Sequence, residues 1–317
     1  MKILTSQEEQ QLTINQRIKY YEQLKEHLLS TKHENLSLGS LTICPKINPI
    51  VRKTLKSLCG YDIYVENNDY KGLIGIYAFT HQDKFDHVNL VVSNPNHTIL
   101  LNSKVLSPIY KATINLNGVV YVDKSSKEDK NRVKLELTRL LFSGKSISMF
   151  PESAWNLSPN KLHLPMYLGL VDIARKTGLP IIPAVQEYEY INKNDGKEHI
   201  NYVCVHFGNP IYVKPSDDLQ DKLKEVSTAF ATLRLEEIEK KGIVSRNSIS
   251  TEDYINFVRV SYRNLRNAGI DMNVEEEYIF GSNDLFYKEH FLNAVTFNGQ
   301  GELLDSPSSK VLKKLIK

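Results

Sequence analysis

Short apolar runs alternate with longer amphipathic stretches through the middle of the chain. Six of these runs are rich in β-branched residues, as buried strands are, and are predicted to be strands. They span residues 73–79, 98–101, 118–122, 146–150, 179–185 and 202–207. Helical stretches lie between most of them, at residues 84–92, 103–115, 126–142 and 165–177. Strands that alternate with helices in this way predict an α/β fold, with a largely parallel mixed sheet flanked by helices.

The N-terminal end of the chain is predicted to be one long amphipathic helix. Apolar residues recur at roughly helical spacing over residues 5–31, and Ser6 with Glu9 resembles a capping box. Two roles fit such a helix. It packs on the main domain through its apolar stripe, or it contacts a membrane surface.

The remaining elements extend the α/β block at both ends. They are a short basic helix at residues 49–59, a strand at 61–65, and helices at 217–241 and 251–267. The pattern therefore divides the chain into three regions, with helical extensions at the two ends. These are an N-terminal helical segment at residues 1–65, a central domain at 66–215 and a C-terminal helical extension at 216–317.

The composition is that of an ordinary globular protein and excludes few functions. The net charge of +3 is too small to argue for a nucleic-acid partner. Cys44, Cys59 and Cys204 are scattered and form no CxxC motif, which favours a reducing compartment with no disulfide framework and no metal site. Because the first residues are polar and no apolar run is long enough to span a bilayer, we expect a cytoplasmic protein with at most a peripheral membrane contact.

A histidine and an aspartate stand five positions apart just after the first predicted strand of the central domain. His81 follows the run at 73–79, and Asp86 falls in the first turn of the next predicted helix. A neutral imidazole takes a proton from a hydroxyl when a carboxylate on its other nitrogen fixes the tautomer. The spacing permits such a pair, and a loop histidine beside a helix-capping aspartate is the alternative.

Three further blocks follow this pair in order along the chain. The four pieces are His81-x4-Asp86, Gly118-Val-Val-Tyr-Val-Asp-Lys124, Phe150-Pro-Glu-Ser153 and Leu179-Pro-Ile-Ile-Pro-Ala184. Their order and spacing resemble the glycerolipid acyltransferase family, which includes the lysophosphatidate and glycerol-3-phosphate acyltransferases. The resemblance covers roughly residues 70–215, so it implies that the central domain is the acyltransferase catalytic domain.

The resemblance implies an activity as well as a fold. A fatty acyl group would move from an acyl thioester, acyl-coenzyme A or acyl-carrier protein, to a hydroxyl of lysophosphatidate or a related phospholipid precursor. His81 would be the general base and Asp86 its orienting partner, and no cofactor or metal would be needed. Lys124, Glu152, Ser153 and Trp155 would bind the acceptor, and Glu152 would do so by contact with an acceptor hydroxyl or would instead hold a basic neighbour in place. The protein would work at the inner face of the membrane.

Several positions depart from the family's pattern. Lys124 and Trp155 stand where arginines are usual, Ser153 replaces a glycine, and Thr80 replaces the asparagine before the histidine. A lysine attracts phosphate as a point charge but lacks the bidentate fork of arginine. Because Trp155 offers an aromatic surface, a saccharide or glycolipid is the alternative acceptor.

Two other functional classes fit the same fold. A non-catalytic lipid-binding protein would keep the fold with an altered third block, and a hydrolase would use water in place of the acceptor. Basic residues also outnumber acidic ones over residues 124–145. That stretch is either a solvated helix face or a patch for anionic headgroups or the phosphates of the donor.

Overall fold

The computed structural model of the protein describes the N-terminal helices, most of the central domain and the helix that follows it. The described residues are 1–30, 53, 57, 60–70, 72–82, 86–93, 98–102, 118–123, 126–153, 163–192, 198–241, 243–244 and 303–304. The helices predicted at residues 49–59, 103–115 and 251–267 lie wholly or largely outside them.

Strands and helices alternate through the central domain, as the sequence predicts. The strands are β1 Asp62–Glu66, β2 Ile76–Phe79, β3 Thr98–Asn102, β4 Val119–Val122, β5 Ile147–Met149, β6 Ile181–Asn192, β7 Glu198–Phe207, β8 Ile243–Val244 and β9 Leu303–Leu304. The helices are α1 Ser6–Gln10, α2 Ile14–Ser30, α3 Asp86–Ser93, α4 Lys127–Phe142, α5 Gly169–Thr177 and α6 Leu219–Lys241.

The first seven strands form one mixed sheet in the order β1-β7-β6-β2-β5-β3-β4. All the pairings in it are parallel except that of β6 with β7, which is antiparallel. The predicted fold class, a largely parallel mixed sheet flanked by helices, is therefore confirmed.

Apolar residues alternate between the two faces of the sheet, and helices cover both. Along β2, Tyr77 and Phe79 face a core that includes the residues of α3, while Ile76 and Ala78 face a second core supplied by α4, α5 and α6. Both faces of β2 are thus fully buried, as central strands of a covered sheet are. Its carboxyl end, where His81 follows, is fixed by packing on both sides.

A glycine sets the start of β2. A Cβ on Gly75 would lie 2.7 Å from the carbonyl oxygen of Pro180, which is closer than side chains approach a backbone. The same carbonyl accepts the N–H of Ile76 at 2.9 Å. Because glycine has no Cβ, β2 can approach the beginning of β6 closely, and this contact sets the register of the two strands.

The N-terminal region differs from the sequence prediction in its local geometry. The predicted single helix is two helices, α1 and α2, and the capping box is formed by Thr5 and Glu8 rather than by Ser6 and Glu9. The side chain of Thr5 accepts the N–H of Glu8, and the N–H of Thr5 donates to the carboxylate of Glu8 at 2.7 Å. The capping residue is therefore Thr5, one position before the Ser6 that the sequence predicts.

The helix α2 packs on the main domain. It buries its apolar stripe, which consists of Tyr20, Tyr21, Leu24 and Leu28, against side chains that include Leu135 and Phe142 of α4. Ile14 and Ile18 on its other side are exposed. Among the described helices, none has both the length and the apolar character needed to cross a membrane.

The predicted limits of the three regions remain predictions, and two contacts cross them. The strand β1 spans the limit at residue 65 and pairs with β7 along its whole length. The helix α6 lies beyond residue 215, yet its Val226 and Phe230 are wholly buried in the core beneath the sheet. The first turns of the predicted C-terminal extension thus pack as part of the central fold.

Candidate active site

The predicted pair of His81 and Asp86 forms in the structure. His81 follows β2 and Thr80, and Asp86 is the first residue of α3. The Nδ1 atom of His81 lies 2.7 Å from Oδ2 of Asp86, whose side chain is completely buried. Because an ionised carboxylate can only accept hydrogen bonds, the proton of a neutral His81 ring lies on Nδ1 and leaves the lone pair on Nε2.

Aromatic stacking fixes the plane of the imidazole ring. The ring of Phe150, which follows β5, lies parallel to that of His81, with their centroids 4.2 Å apart and the planes inclined by 14°. The His81 side chain remains partly exposed, at 18%. One ring face is therefore covered by Phe150, and the side chain is still open to a reactant.

The backbone at His81 is held by Glu152, from the third motif. Glu152 is buried, and its Oε1 atom accepts the N–H of His81 at 3.0 Å. Its Oε2 atom accepts the N–H of Leu164 at 2.6 Å. Burial raises the pKa of Glu152 to about 8, although both backbone N–H groups oppose that rise. These contacts make Glu152 a support for the loop that carries His81, and its predicted role in acceptor binding stays a prediction.

Thr80, which departs from the family's pattern, joins β2 to β6. Its hydroxyl oxygen accepts the N–H of Gln186 at 2.9 Å, and its carbonyl oxygen accepts the side-chain amide of the same residue at 3.0 Å. Thr80 is completely buried. Its role in the structure is therefore to fix the backbone immediately before His81.

Ser153 has the conformation that the family's glycine would favour. Its φ is 57°, in the left-handed region, where a side chain is unfavourable by roughly 1 kcal/mol. The substitution therefore keeps the shape of the turn at some cost in conformational energy. Lys124 and Trp155, the other two predicted acceptor-binding residues, lie outside the described residues.

Sequence reasoning missed a set of buried polar groups behind the loop. Arg234 of α6 donates from Nε to Oε1 of Glu187 at 2.6 Å and from a terminal nitrogen to Oε1 of Gln82 at 3.3 Å. All three side chains are buried. An arginine in a charged helix gives no sequence signal of such a contact, because its partners lie 47 and 152 positions away.

Three basic residues in the stretch at 124–145 pair with neighbouring carboxylates in the part that the structure describes. Arg132 pairs with Asp129, Arg139 pairs with Glu136, and Lys134 pairs with Asp172 of α5. These contacts favour the interpretation of a structural helix face over that of a patch for anionic headgroups.

One group of described residues, which does not include His81, has the donor atoms of a metal site. Ligand atoms of Glu66, His206 and Glu237 lie within 4.8 Å of one another. The ring nitrogens of His206 already contact Glu237 at 2.5 Å and the side-chain amide of Asn67 at 2.6 Å. Hydrogen bonds thus hold the His206 ring without an ion.

Replacement of Glu152 tests its role as a support. Glu152→Gln keeps the volume but sets an NH₂ group against one of the two backbone N–H donors, so we expect a loss of about 1–3 kcal/mol in the free energy of unfolding. The displaced His81 backbone should also lower the turnover number. Chemical denaturation and a rate assay measure the two effects.

The matched control for this substitution is Glu136→Gln, on α4. Glu136 is buried and paired with Arg139, so its loss should reduce stability without a change in turnover. Wild-type stability and turnover in Glu152→Gln would contradict the role assigned to Glu152.

His87 gives the protein a pH-dependent stability. It is buried beside Asp86, and burial lowers its pKa to about 4 even though the Asp86 charge acts in the opposite direction. The unfolded chain therefore takes up this proton first, near pH 6.5, and stability is lost as the pH falls from about 6.5 to about 4.

The corresponding variant is His87→Gln. Over that pH range its free energy of unfolding should fall less steeply than that of the wild type, by up to about 3 kcal/mol in total. Denaturant unfolding at several pH values measures the difference. If the free energy of unfolding fell equally with pH in the two proteins, His87 would not be the source of this pH dependence.

Comparisons with known proteins agree with the motifs. The family model described as Acyltransferase matches residues 62–187. Among solved structures, the chain is similar to the 1-acyl-sn-glycerophosphate (LPA) acyltransferase PlsC from Thermotoga maritima, with 16% identity and a TM-score of 0.47, over 69% of this chain and 89% of that one. No curated protein matches the chain. The part of the chain that matches the acyltransferase family model, residues 62–187, holds the paired His81 and Asp86 and the supporting Glu152.

Proposed function

We propose that the protein transfers a fatty acyl group from an acyl thioester to a hydroxyl, with His81 as the general base. The observation that carries the proposal is the 2.7 Å contact between Nδ1 of His81 and Oδ2 of a completely buried Asp86. A carboxylate in this position holds the ring in the tautomer whose Nε2 is a base. The family match over residues 62–187 supports the choice of acyl transfer.

The reaction needs no nucleophile from the protein. Nε2 of His81 takes the proton of the acceptor hydroxyl while the hydroxyl oxygen attacks the thioester carbonyl and forms the new C–O bond. The tetrahedral oxyanion then collapses, the C–S bond breaks, and the thiolate leaves with the proton from the imidazolium. Asp86 stabilises the imidazolium that exists between the two proton transfers.

Lysophosphatidate, or a related phospholipid precursor, is the acceptor that we propose. The four motifs resemble those of glycerolipid acyltransferases, and the similar protein from Thermotoga maritima is described as an LPA acyltransferase. Lys124 would attract the phosphate of the acceptor as a point charge, and Ser153 and Trp155 would line its site. The donor would be acyl-coenzyme A or acyl-carrier protein, and the protein would work as a peripheral protein at the inner face of the membrane.

A saccharide or glycolipid acceptor is the alternative within the same chemistry. The specific observation that favours it is the third motif, Phe150-Pro-Glu-Ser-Ala-Trp155, which places a tryptophan where an arginine is usual. An aromatic face suits the apolar face of a sugar ring, whereas a phosphate favours the planar cation of arginine. The identity of the acceptor is therefore the part of the proposal that the assay must resolve.

The first test compares the wild type with His81→Ala in a thioester assay. Because a positioned general base contributes about 10²- to 10⁴-fold to a rate, the variant should lose at least 99% of the wild-type turnover. Thiol release from acyl-coenzyme A and from acyl-carrier protein is measured with no acceptor, with lysophosphatidate and with a mixed lipid extract.

Two controls accompany this test. His81→Gln keeps a side chain that can donate to Asp86, which guards against loss of folding, and His27→Ala replaces a histidine of α2 that the site does not use. Release that rises with lysophosphatidate supports the proposed acceptor, and release that rises only with the extract supports another one. Wild-type turnover in a folded His81→Ala protein would overturn the proposal, and release that no acceptor increases would favour a hydrolase.

A further inference from the structure

A continuous chain of buried hydrogen bonds leads away from Asp86 on the side opposite His81. The hydroxyl of Tyr188, on β6, donates to Oδ1 of Asp86. The side-chain amide of Asn89 donates to the oxygen of Tyr188 at 2.7 Å, and the hydroxyl of Tyr61 donates to Oδ1 of Asn89 at 2.7 Å. Asp86 and Asn89 are completely buried, and Tyr188 is 1% exposed.

The direction of every bond in this chain follows from the carboxylate at its end. The carboxylate of Asp86 can only accept, so the hydroxyl of Tyr188 must donate to it. The partner of Tyr188 must then be the NH₂ of Asn89, which turns the Asn89 oxygen toward the hydroxyl of Tyr61 and makes Tyr61 a donor. The hydrogen bonds at the two ends of the Asn89 amide therefore fix its orientation.

Both oxygens of Asp86 are held by separate elements of the fold. Oδ1 accepts from Tyr188 of β6, and Oδ2 accepts from the backbone N–H of Gln82 at 2.5 Å as well as from His81. A carboxylate anchored at one oxygen can rotate about its Cβ–Cγ bond, whereas one anchored at both cannot do so without breaking a bond. Asn89 lies one helical turn after Asp86 on α3, so it reaches the same hydroxyl.

We propose that Tyr188 is a positioning residue for the His81–Asp86 pair, and that Asn89 and Tyr61 hold Tyr188 in its donating orientation. The catalytic consequence rests on the proposed function, since it assumes that His81 is the base. The structural consequence is independent of it. When Tyr188 donates to Oδ1, Oδ2 stays aimed at Nδ1 of His81, and the ring keeps its proton on Nδ1.

The chain also has an electronic effect in the same direction. Asn89 and Tyr188 each accept one hydrogen bond and donate the next, and the accepted bond polarises the donating N–H or O–H group and strengthens the bond that it makes. The carboxylate form of Asp86 therefore receives charge stabilisation in a site from which water is excluded. Tyr188 does not reach the reactants, because its hydroxyl lies behind Asp86 and its side chain is buried.

A neighbouring tyrosine offers a matched control. Tyr77, on β2, is completely buried on the same face of the sheet as Tyr188. Its hydroxyl donates to the backbone carbonyls of Tyr70 at 2.8 Å and Leu73 at 3.0 Å, away from Asp86. Tyr77→Phe and Tyr188→Phe each remove one buried hydroxyl, and only the second touches the chain that leads to His81.

The test measures the tautomer of His81 directly and the turnover separately. The protein is labelled with ¹⁵N-histidine, and the two ring signals of His81 are assigned by their loss in His81→Gln. In the wild type with a neutral ring, we expect one protonated nitrogen, Nδ1, and one unprotonated nitrogen, Nε2, with widely separated shifts. In Tyr188→Phe the two shifts should approach each other as the tautomers exchange, and in Tyr77→Phe they should stay at their wild-type values.

The kinetic readout should follow the same pattern. Loss of a hydrogen bond to a charged group should lower kcat by about tenfold or more in Tyr188→Phe, while KM changes by less than about twofold. Tyr61→Phe, at the far end of the chain, should have a smaller effect in the same direction, and it serves as the second variant if Tyr188→Phe does not fold.

The outcomes separate the two proposals. Converging His81 shifts in Tyr188→Phe support the positioning role even if no acceptor is found and the proposed reaction fails. Wild-type shifts in a folded Tyr188→Phe protein overturn the positioning role, whatever the activity. Equal losses of kcat in Tyr188→Phe and Tyr77→Phe would also overturn it, because general destabilisation would then explain both.

Discussion

The hydrogen bond between Nδ1 of His81 and the buried carboxylate of Asp86 is the interaction on which the rest of the site depends. A carboxylate that is removed from water needs donors, and here they come from the imidazole, a backbone N–H and a tyrosine hydroxyl. A histidine in a loop has many orientations and two tautomers. The one contact selects both the orientation and the tautomer, so the proposed role of His81 as a base requires that the carboxylate is held still.

The fold supplies that rigidity through elements that are distant in sequence. The loop that carries His81 lies between β2 and α3, and β2 is buried on both faces by helices. Glu152 fixes the backbone at His81 from the end of β5, and Phe150 stacks on the ring. Gln82, the next residue, is tied to Glu187 of β6 and to Arg234 of α6. The loop that carries His81 is therefore bounded on each side by a polar contact whose partner belongs to the packed core.

Local sequence was sufficient to predict the pair itself and the fold class. His81 and Asp86 are five positions apart, and the runs of apolar residues around them have the lengths of strands and helices, so both signals lie within short windows. The family resemblance is also visible in the sequence, because each of its four motifs lies within a short window. The acceptor-binding roles of Lys124, Glu152 and Trp155 remain predictions, and the local sequence gives no sign that the oxygens of Glu152 accept backbone N–H groups of the loop.

The supporting network could not be predicted, because it is formed by residues that only the tertiary structure brings together. Tyr188 reaches Asp86 across 102 positions, and Arg234 reaches Gln82 across 152. The one local hint was Asn89, a polar residue in an otherwise apolar part of α3, three positions after Asp86. Even a local signal can be ambiguous, as the first helix shows. Thr5 with Glu8 and Ser6 with Glu9 are equally good capping boxes in the sequence, and only the backbone conformation of the folded chain decides between them.

The measurement that tests the central claim most directly is the turnover number of Asp86→Asn. Asparagine has the size of aspartate but has one acceptor oxygen in place of two, so it cannot accept from Tyr188 and also from Gln82 and His81. It also has no charge to stabilise the imidazolium. Loss of the charged partner of His81 should lower kcat by about three to four orders of magnitude in a protein that remains folded, with KM little changed. A folded Asp86→Asn protein whose kcat lies within about threefold of the wild type would contradict the account, because His81 would then not depend on the carboxylate for its role as base.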